Sequence, residues 1–367
     1  MESSETEIAT FDATITRLGT ALEPDGDPLE VEGVLNPAAT RARDGRLVLY
    51  PRFVAAGNVS RIGLVEVGGT PDAPAYTRAG YALEPQAEYE LRAGRGGYGC
   101  EDPRVTFLPV LDTYVMAYTA FGPLGPRIAF AVSHDGYAWE RLGLADFSAR
   151  GLPCGDDKDA AFFPEPVRSP HGLECLAFYH RPMLQISALD GCAAVPSILA
   201  RPPGDRESIR IAYVPLEPVL RDRRNLLRVV ESRLVLTPGG EWGRVKSGAG
   251  TPPVRVAEGW LALFHGVDAL MHDDGACELR YSAGIVVHDV ERPDIVRYRS
   301  PSPVLTPETP EERRGTVSDV VFPTGLDGGT GTGRTFDVYY GMADSRVGRA
   351  RLALGASALA GEAESAA

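Results

Sequence analysis

Apolar residues along this chain fall in short runs of strand length, separated by turns rich in Gly, Pro, Asn and Asp. Period-two alternation predicts half-buried strands, and short continuous apolar runs predict strands covered on both faces. The runs come in groups. In the first, Asn36-Pro37-Ala38-Ala39-Thr40-Arg41 opens, an Asp44-Gly45 turn follows, and strands are expected over 47–52 and 60–65. In the second, Glu101-Asp102-Pro103-Arg104-Val105 leads to strands over 113–120 and 127–133. The His134-Asp135-Gly136 turn then precedes a fourth strand over 137–140. The third runs 158–165, 176–181 and, after an insertion, 209–214; the fourth 250–256, 259–266 and 278–285; the fifth 318–323, 335–341 and 346–352.

Five groups thus share one order: a polar opening, a Gly-containing turn, an aromatic-rich strand, and a strand of arginine and small residues. Repetition at this spacing predicts an all-β, five-bladed β-propeller whose units bury their faces by stacking around an axis. A pair of β-sandwiches does not explain why the order returns five times. Residues 1–30 read as an N-terminal extension packing on the propeller, 31–354 as the propeller and catalytic domain, and 355–367 as a flexible tail. No helix longer than the stretch near 217–233 is expected, and Pro218 counts against that one.

In a propeller the first strand of each blade lines the central channel. Asn36, Glu101-Asp102, Lys158-Asp159, Thr251 and Ser318-Asp319 would then converge on an axial active site. Pro103 is expected to push Asp102 toward extended geometry and so to aim its carboxylate. Arg52, His180-Arg181, His265 and Asp344 fall at or just after the ends of second strands. Carboxylates and arginines in one crevice suit sugar hydroxyls, with one carboxylic acid protonating a leaving oxygen. A cluster of Arg, Lys and His suits a phosphate.

Composition narrows the partners. A net charge of −13 disfavours nucleic acid and anionic membranes, though not a small anion in a local basic pocket. With Gly 41 and Pro 30, turns outnumber what a helical bundle tolerates. No run reaches membrane-spanning length, and the acidic start carries no signal segment. The five cysteines (Cys100, Cys154, Cys175, Cys192, Cys277) show no metal spacing and are expected as reduced thiols in a cytoplasmic protein. No metal is predicted.

The chain resembles glycoside hydrolase family 130, the β-mannoside phosphorylases and related mannosidases. The resemblance is carried, in order, by Asn36-Pro37-Ala38, Tyr50-Pro51-Arg52, Glu101-Asp102-Pro103-Arg104 with Tyr118-Thr119-Ala120, and Lys158-Asp159-Ala160-Ala161-Phe162-Phe163-Pro164-Glu165. His180-Arg181-Pro182, Gly259-Trp260-Leu261 with His265-Gly266-Val267, Val321-Phe322-Pro323-Thr324-Gly325, and Tyr339-Tyr340-Gly341-Met342-Ala343-Asp344 complete it. It implies a five-bladed propeller and Asp102 as catalytic acid, its proton reaching the glycosidic oxygen through a sugar hydroxyl. Asn36, Arg52, Asp159 and Asp344 would hold the mannosyl unit, and Lys158, Arg181 and His265 the phosphate. Inorganic phosphate would be the co-substrate, with no other cofactor, and a short β-mannoside the substrate. Attack from the face opposite the leaving group would give α-mannose 1-phosphate. A homo-oligomer stays open.

The chain departs from the phosphorylase pattern at Asp156-Asp157, where the family carries Arg-Asn before Lys-Asp-Ala-Ala. Like charges oppose a dianion, so an inverting β-mannosidase is the alternative, with Asp156, Asp157 or Glu165 as general base on water. A non-catalytic mannoside-binding propeller is the third reading. A proline inserted at Pro51 leaves the placement of Arg52 open. Bland readings stand beside these: an Asp102–Arg104 ion pair, Asp159 as a structural channel acid, and His265 as a core histidine. His180 is read as structural, Trp139 and Trp242 as packing, and Trp260 as either packing or sugar platform. His134, His171 and His272 are read as turn residues.

Overall fold

The computed structural model describes residues 8, 11–93, 96–149, 151–153, 155–184, 191–271, 277–329 and 333–356. His272, Cys154 and the tail beyond 356 lie outside the described residues. In chain order the strands begin with β1 (Ala13–Leu22), β2 (Gly33–Arg41), β3 (Leu47–Ala55), β4 (Val59–Thr70) and β5 (Ala73–Leu83). β6 (Tyr98–Leu108), β7 (Thr113–Gly122), β8 (Gly125–Ser133) and β9 (Glu140–Leu144) follow. β2–β5 and β6–β9 are antiparallel groups within one sheet, linked by a parallel bridge, Val59↔Tyr98 and Ser60↔Gly99. A second sheet holds β10 (Asp157–Phe162), β11 (Val167–Arg168), β12 (Glu174–Pro182), β13 (Ile209–Pro215) and β14 (Glu231–Leu236). A third holds β15 (Lys246–Ala249), β16 (Val254–Val256), β17 (Gly259–Met271), β18 (Cys277–His288) and β19 (Val296–Arg299). In the fourth, β20 (Val321–Asp327), β21 (Thr335–Met342) and β22 (Arg346–Leu354) are joined by β1, which pairs with β22. The helices are short: α1 (Val195–Leu199), α2 (Leu216–Arg221) and α3 (Pro310–Arg313). Among the described residues no helix is long and apolar enough to cross a membrane.

Apolar packing links each group to the next. Phe130 on β8 meets Phe162 and Phe178, with ring centroids 4.9 and 5.2 Å away. Trp260 and Phe264 pack against Phe163 and Tyr179, and Leu263 and Ile285 against Val338 and Leu352. Tyr50 and Ile62 join Met116 and Tyr118, while Leu49 and Val65 meet Tyr339 and Val347 of the last sheet. The opening strands touch: β2 lies against β6 and β20, and β10 against β6 and β15.

Three of these openings share one device. In β2, β6 and β10 two residues face one on the partner strand, between Leu35 and Ala38, Glu101 and Arg104, and Lys158 and Ala161. Such a bulge twists the strand and re-aims a side chain. The residue it turns over has positive φ in each case: Asn36 at 44°, Asp102 at 47° and Asp159 at 62°. Asn and Asp bear that conformation at lower cost than other side chains, which is why these types stand there. Asp102 is therefore left-handed, not extended as expected from Pro103. Pro51, which has no N–H to give, falls where β3 skips its pairing with β4 between Leu49↔Val65 and Arg52↔Ile62.

Other expectations are corrected. Residues 137–139 are not strand: the Asp135 carboxylate accepts from the amides of Tyr137 and Ala138 and holds a turn, so the strand starts at Glu140. The helix near 217–233 is confined to α2 and a 3₁₀ turn at Arg223–Leu227, whose first residue the Asp222 side chain precedes, accepting from the Arg224 amide. The reduced-thiol reading fails for two cysteines: Cys192 and Cys277, 85 residues apart, form a disulfide. Cys100 and Cys175 are free and buried. Trp260 is core: it is buried, with Nε1 donating to the Val290 carbonyl.

Candidate active site

The β2 and β6 bulges bring Asn36 and Asp102 together. Asn36 Nδ2 donates to Asp102 Oδ1 at 2.9 Å, while the buried Asn36 Oδ1 has no partner. A buried acceptor left unpaired is costly unless a ligand supplies the donor. Arg52, from β3, spans both acids of the motif: Nη1 reaches Asp102 Oδ1 at 3.3 Å and Nη2 reaches Glu101 Oε1 at 3.0 Å. Its Nε donates to Ser60 Oγ. Lys158 Nζ lies 3.3 Å from the other Glu101 oxygen. Burial alone would raise the Asp102 carboxyl, but Arg52, Lys158 and Arg104, with the Asn36 bond, outweigh it and hold it below the usual carboxylate range. Asp344, half-buried after β21, goes the other way. Burial first, then the Asp102 charge, push it up to about 6 against Arg52 and Lys158.

Arg104 connects this half to the next. It is buried, and its guanidinium donates to the backbone carbonyls of Asp102, Ala249 and Gly250, each at 3.0 Å. It also lies 3.5 Å from Asp159 Oδ1. So the bland Asp102–Arg104 ion pair does not form: Arg104 holds the Asp102 main chain and leaves the carboxylate to Asn36 and Arg52.

The second half centres on Asp159. Arg181 Nε donates to Asp159 Oδ2 at 2.6 Å and Nη1 pairs with Glu207. His265 Nε2 lies 3.8 Å from the same Asp159 oxygen, and neither ring nitrogen makes a hydrogen bond. The ring is fully buried between Phe322 and Tyr281. Burial lowers its pKa to about 3, only partly opposed by Asp159, so the imidazole is neutral. A Cβ at residue 248 would come within 2.3 Å of both Asp159 and His265, so Gly248 lets them approach. Lys246 opens β15 with Nζ 5.1 Å from the Tyr281 ring centroid, and no carboxylate lies within ion-pair distance of it among the described residues. A half-buried cation whose carboxylate neighbour, Glu207, is already paired with Arg181 fits an anionic ligand.

The residues preceding Lys158 are already engaged. Asp157 accepts from His180 Nδ1 at 2.7 Å and from the Arg181 amide at 3.0 Å, and His180 Nε2 meets Ser232 Oγ at 2.8 Å. Asp156 pairs with Arg127. Glu165 is exposed in the bend beyond β10, six residues along the chain from Asp159. None of the three general-base candidates stands free beside the site.

The structure thus joins Asn36, Arg52, Asp102 and Lys158 in one half, with Asp344 in electrostatic reach, and Asp159, Arg181 and His265 in the other. Lys158 faces Glu101 rather than Arg181. Thr251 is structural, its hydroxyl accepting from the Leu263 amide. Asp319 lies against the β17–β18 hairpin, its charge neighbours being Glu278, Arg313 and Arg280. Four contributors escaped sequence reasoning: Glu101 as a clamp, Glu207, Lys246 and Tyr281. Lys246 was legible in one respect, since it precedes the small run Ser247-Gly248-Ala249-Gly250 as Lys158 precedes Asp159-Ala160-Ala161. Among the described residues no group of His, Cys, Asp and Glu is arranged to hold a metal. Two clefts of about 320 and 270 Å³ lie elsewhere, between the β4–β5 hairpin and β21–β22. Their charges pair with one another, as in Arg41–Asp327 and Arg349–Asp337.

Comparison with known proteins accords with this arrangement. A family model described as β-1,4-mannooligosaccharide phosphorylase, that of glycoside hydrolase family 130, matches residues 225–355. A β-1,2-mannobiose phosphorylase of Listeria innocua is 29% identical over 264 residues, 72% of this chain. That match spans 58% of the relative, less than two thirds of its length. A 1,2-β-oligomannan phosphorylase of a Thermoanaerobacter species is 28% identical over 73% of this chain and 70% of its own. Among solved structures, the Listeria β-1,2-mannobiose phosphorylase in complex with β-1,2-mannobiose superposes with a TM-score of 0.65 at 23% identity, over 92% of this chain and 96% of that one. At that identity the likeness speaks for the fold.

Proposed function

We propose that this chain is a member of glycoside hydrolase family 130 and that it cleaves β-mannosidic bonds by phosphorolysis with inversion, releasing α-mannose 1-phosphate. The observation that carries this reading is Lys246, a cation whose carboxylate neighbour, Glu207, is already paired with Arg181, lying next to that arginine and Tyr281 and joined to the acid half through Arg104. Two of the Arg181 nitrogens are occupied by Asp159 and Glu207, and Nη2 donates to no described residue. Arg181 Nη2, Lys246 and the neutral His265 form the phosphate side. Asn36, Arg52 and Asp344 hold the mannosyl unit, Asn36 Oδ1 taking a hydroxyl.

Asp102 supplies the proton: the unliganded site holds it ionised, and in this reading it takes up that proton as the mannoside binds against Arg52 and Asn36. Phosphate oxygen forms a bond to the anomeric carbon as the bond to the leaving oxygen breaks, and that oxygen takes the proton from Asp102 through a sugar hydroxyl. The hydrolytic alternative loses support because Asp156 and Asp157 are both paired and Glu165 is exposed in the bend beyond β10. We also read the five antiparallel groups as the blades of a propeller spanning 31–354, with the site on its axis. The packing of first group against last supports that reading.

The test is product analysis with β-1,2- and β-1,4-mannobiose, with and without inorganic phosphate. Mannose 1-phosphate that appears only with phosphate is expected. Free mannose released at the same rate in both arms overturns the proposal in favour of hydrolysis, and binding without turnover overturns it in favour of a lectin-like role.

A further inference from the structure

The 26 residues between β12 and β13 form an insertion anchored at several points. At its start the Leu184 amide donates to Glu207, the same residue that pairs with Arg181. At its end the Ser247 amide donates to the Glu207 carbonyl, one residue after Lys246. Midway, α1 packs Val195 and Ile198 with Val245 and Val267, and Tyr281 joins that cluster. The disulfide Cys192–Cys277 ties the turn before α1 to the first residue of β18.

The hairpin it grips needs the support. β17 pairs with β15 only as far as Val267, and β18 with β19 only from Val286 on. From Asp268 to Met271 and from Cys277 to Arg280 the two strands have each other and no further ladder partner among the described residues. A two-stranded ribbon and a five-residue helix are each marginal in water. Tyr281 sits where this projecting ribbon meets the sheet, stacked on His265 and facing Lys246.

We propose that Cys192 and Cys277 are positioning residues for the anion side of the site: their bond clasps α1 onto the hairpin, α1 fixes Tyr281, and Tyr281 fixes Lys246 and His265. This rests on the phosphorolytic reading given above. Opening the clasp loosens the phosphate side and leaves Asn36, Arg52 and Asp344, which lie on other sheets, in place. The opening is an exchange with a dithiol reductant. One of its thiolates attacks a cystine sulfur, its second thiol resolves the mixed disulfide, and two electrons and two protons pass to the cysteines.

The experiment compares oxidised protein, dithiol-reduced protein and the Cys192→Ser variant, with thiol state verified by mass after alkylation. Initial rates are measured against phosphate and against mannobiose. Reduction and substitution should each raise the phosphate KM about tenfold, as a small misplacement of binding groups does. Mannobiose KM and kcat should change less than about twofold, and reoxidation should restore the reduced protein. Equal phosphate KM in the oxidised and reduced forms overturns the inference while leaving phosphorolysis standing. If instead mannose is released without phosphate, the functional reading has failed, and hydrogen exchange decides the clasp. Faster exchange at 245–248 and 278–282 on reduction supports it, and unchanged exchange there overturns it.

Discussion

Replacing Asp344 by Asn should make the protein more stable near neutral pH and less active. Asp344 holds its proton more tightly when folded, with its pKa pushed from 3.8 to about 6 by burial and by the Asp102 charge. Between those values the folded state binds more protons than the unfolded chain, so this group destabilises the fold increasingly as pH rises through the window, with the full cost above about 6. A difference of about two pH units corresponds to about 3 kcal/mol at most, or about 2 kcal/mol once screening at the half-open position is allowed for. Asn keeps the shape and removes the charge. The gain of Asp344→Asn over wild type should therefore be near zero at pH 4 and about 2 kcal/mol at pH 7. Urea unfolding followed by tryptophan fluorescence at several pH values measures it, and taking the difference between the two proteins cancels other titrating groups. A gain that does not vary with pH, or a loss at pH 7, would refute the electrostatic argument. The same repulsion keeps a hydroxyl-hungry carboxylate beside Asp102, which a bound mannoside relieves by donating to it.

Asp102→Asn should cut turnover by about 10²–10⁴-fold with the unfolding free energy in urea unchanged within about 1 kcal/mol; retained phosphorolysis of mannobiose would remove Asp102 from the acid role. Arg104→Ala should cost about 3–5 kcal/mol of unfolding free energy, since it strips a buried cation from three carbonyls and Asp159; a surface-like loss under about 1 kcal/mol would contradict its bridging role. His265, lowered to about 3, should show no imidazole titration in NMR spectra between pH 5 and 8. Because the unfolded ring protonates near 6.5, it should also contribute to acid destabilisation below that value.

The repeat of polar openings was legible because Asn36, Asp102 and Asp159 are types that bear a left-handed backbone, and the bulges require one at each opening. Their pairing with Arg52 and Arg181 was legible through motif order. The fourth opening was misplaced at Thr251 because the insertion before it hid the register, and the strand in fact starts at Lys246. Glu207 lies at the far end of that insertion, and no local pattern marks it as the partner of Arg181. The disulfide was illegible for the same reason: 85 residues separate its cysteines, and only the projecting hairpin brings them within 5.8 Å at Cα. Long-range contacts set by an insertion leave no periodic trace.

Asp156-Asp157 is where reading charge from sequence alone gives the wrong sign. Read from sequence, two carboxylates in place of Arg-Asn repel phosphate, and substituting Arg and Asn there restores it. In the structure Asp156 is neutralised by Arg127, while Asp157 accepts from both His180 and the backbone amide of Arg181. Its charge is spent on holding the strand that presents Arg181. Asn at 157 keeps one acceptor for the amide but turns an NH₂ or an uncharged oxygen toward His180, weakening a charge-assisted bond of about 1.5–3 kcal/mol. If part of that reaches Arg181, Asp157→Asn should raise the phosphate KM by about tenfold, with the mannobiose KM little changed. Initial-rate kinetics at varied phosphate measure this. A phosphate KM that falls in the Asn variant would show that Asp157 repels the anion after all and would return the pair to the role its charge suggests.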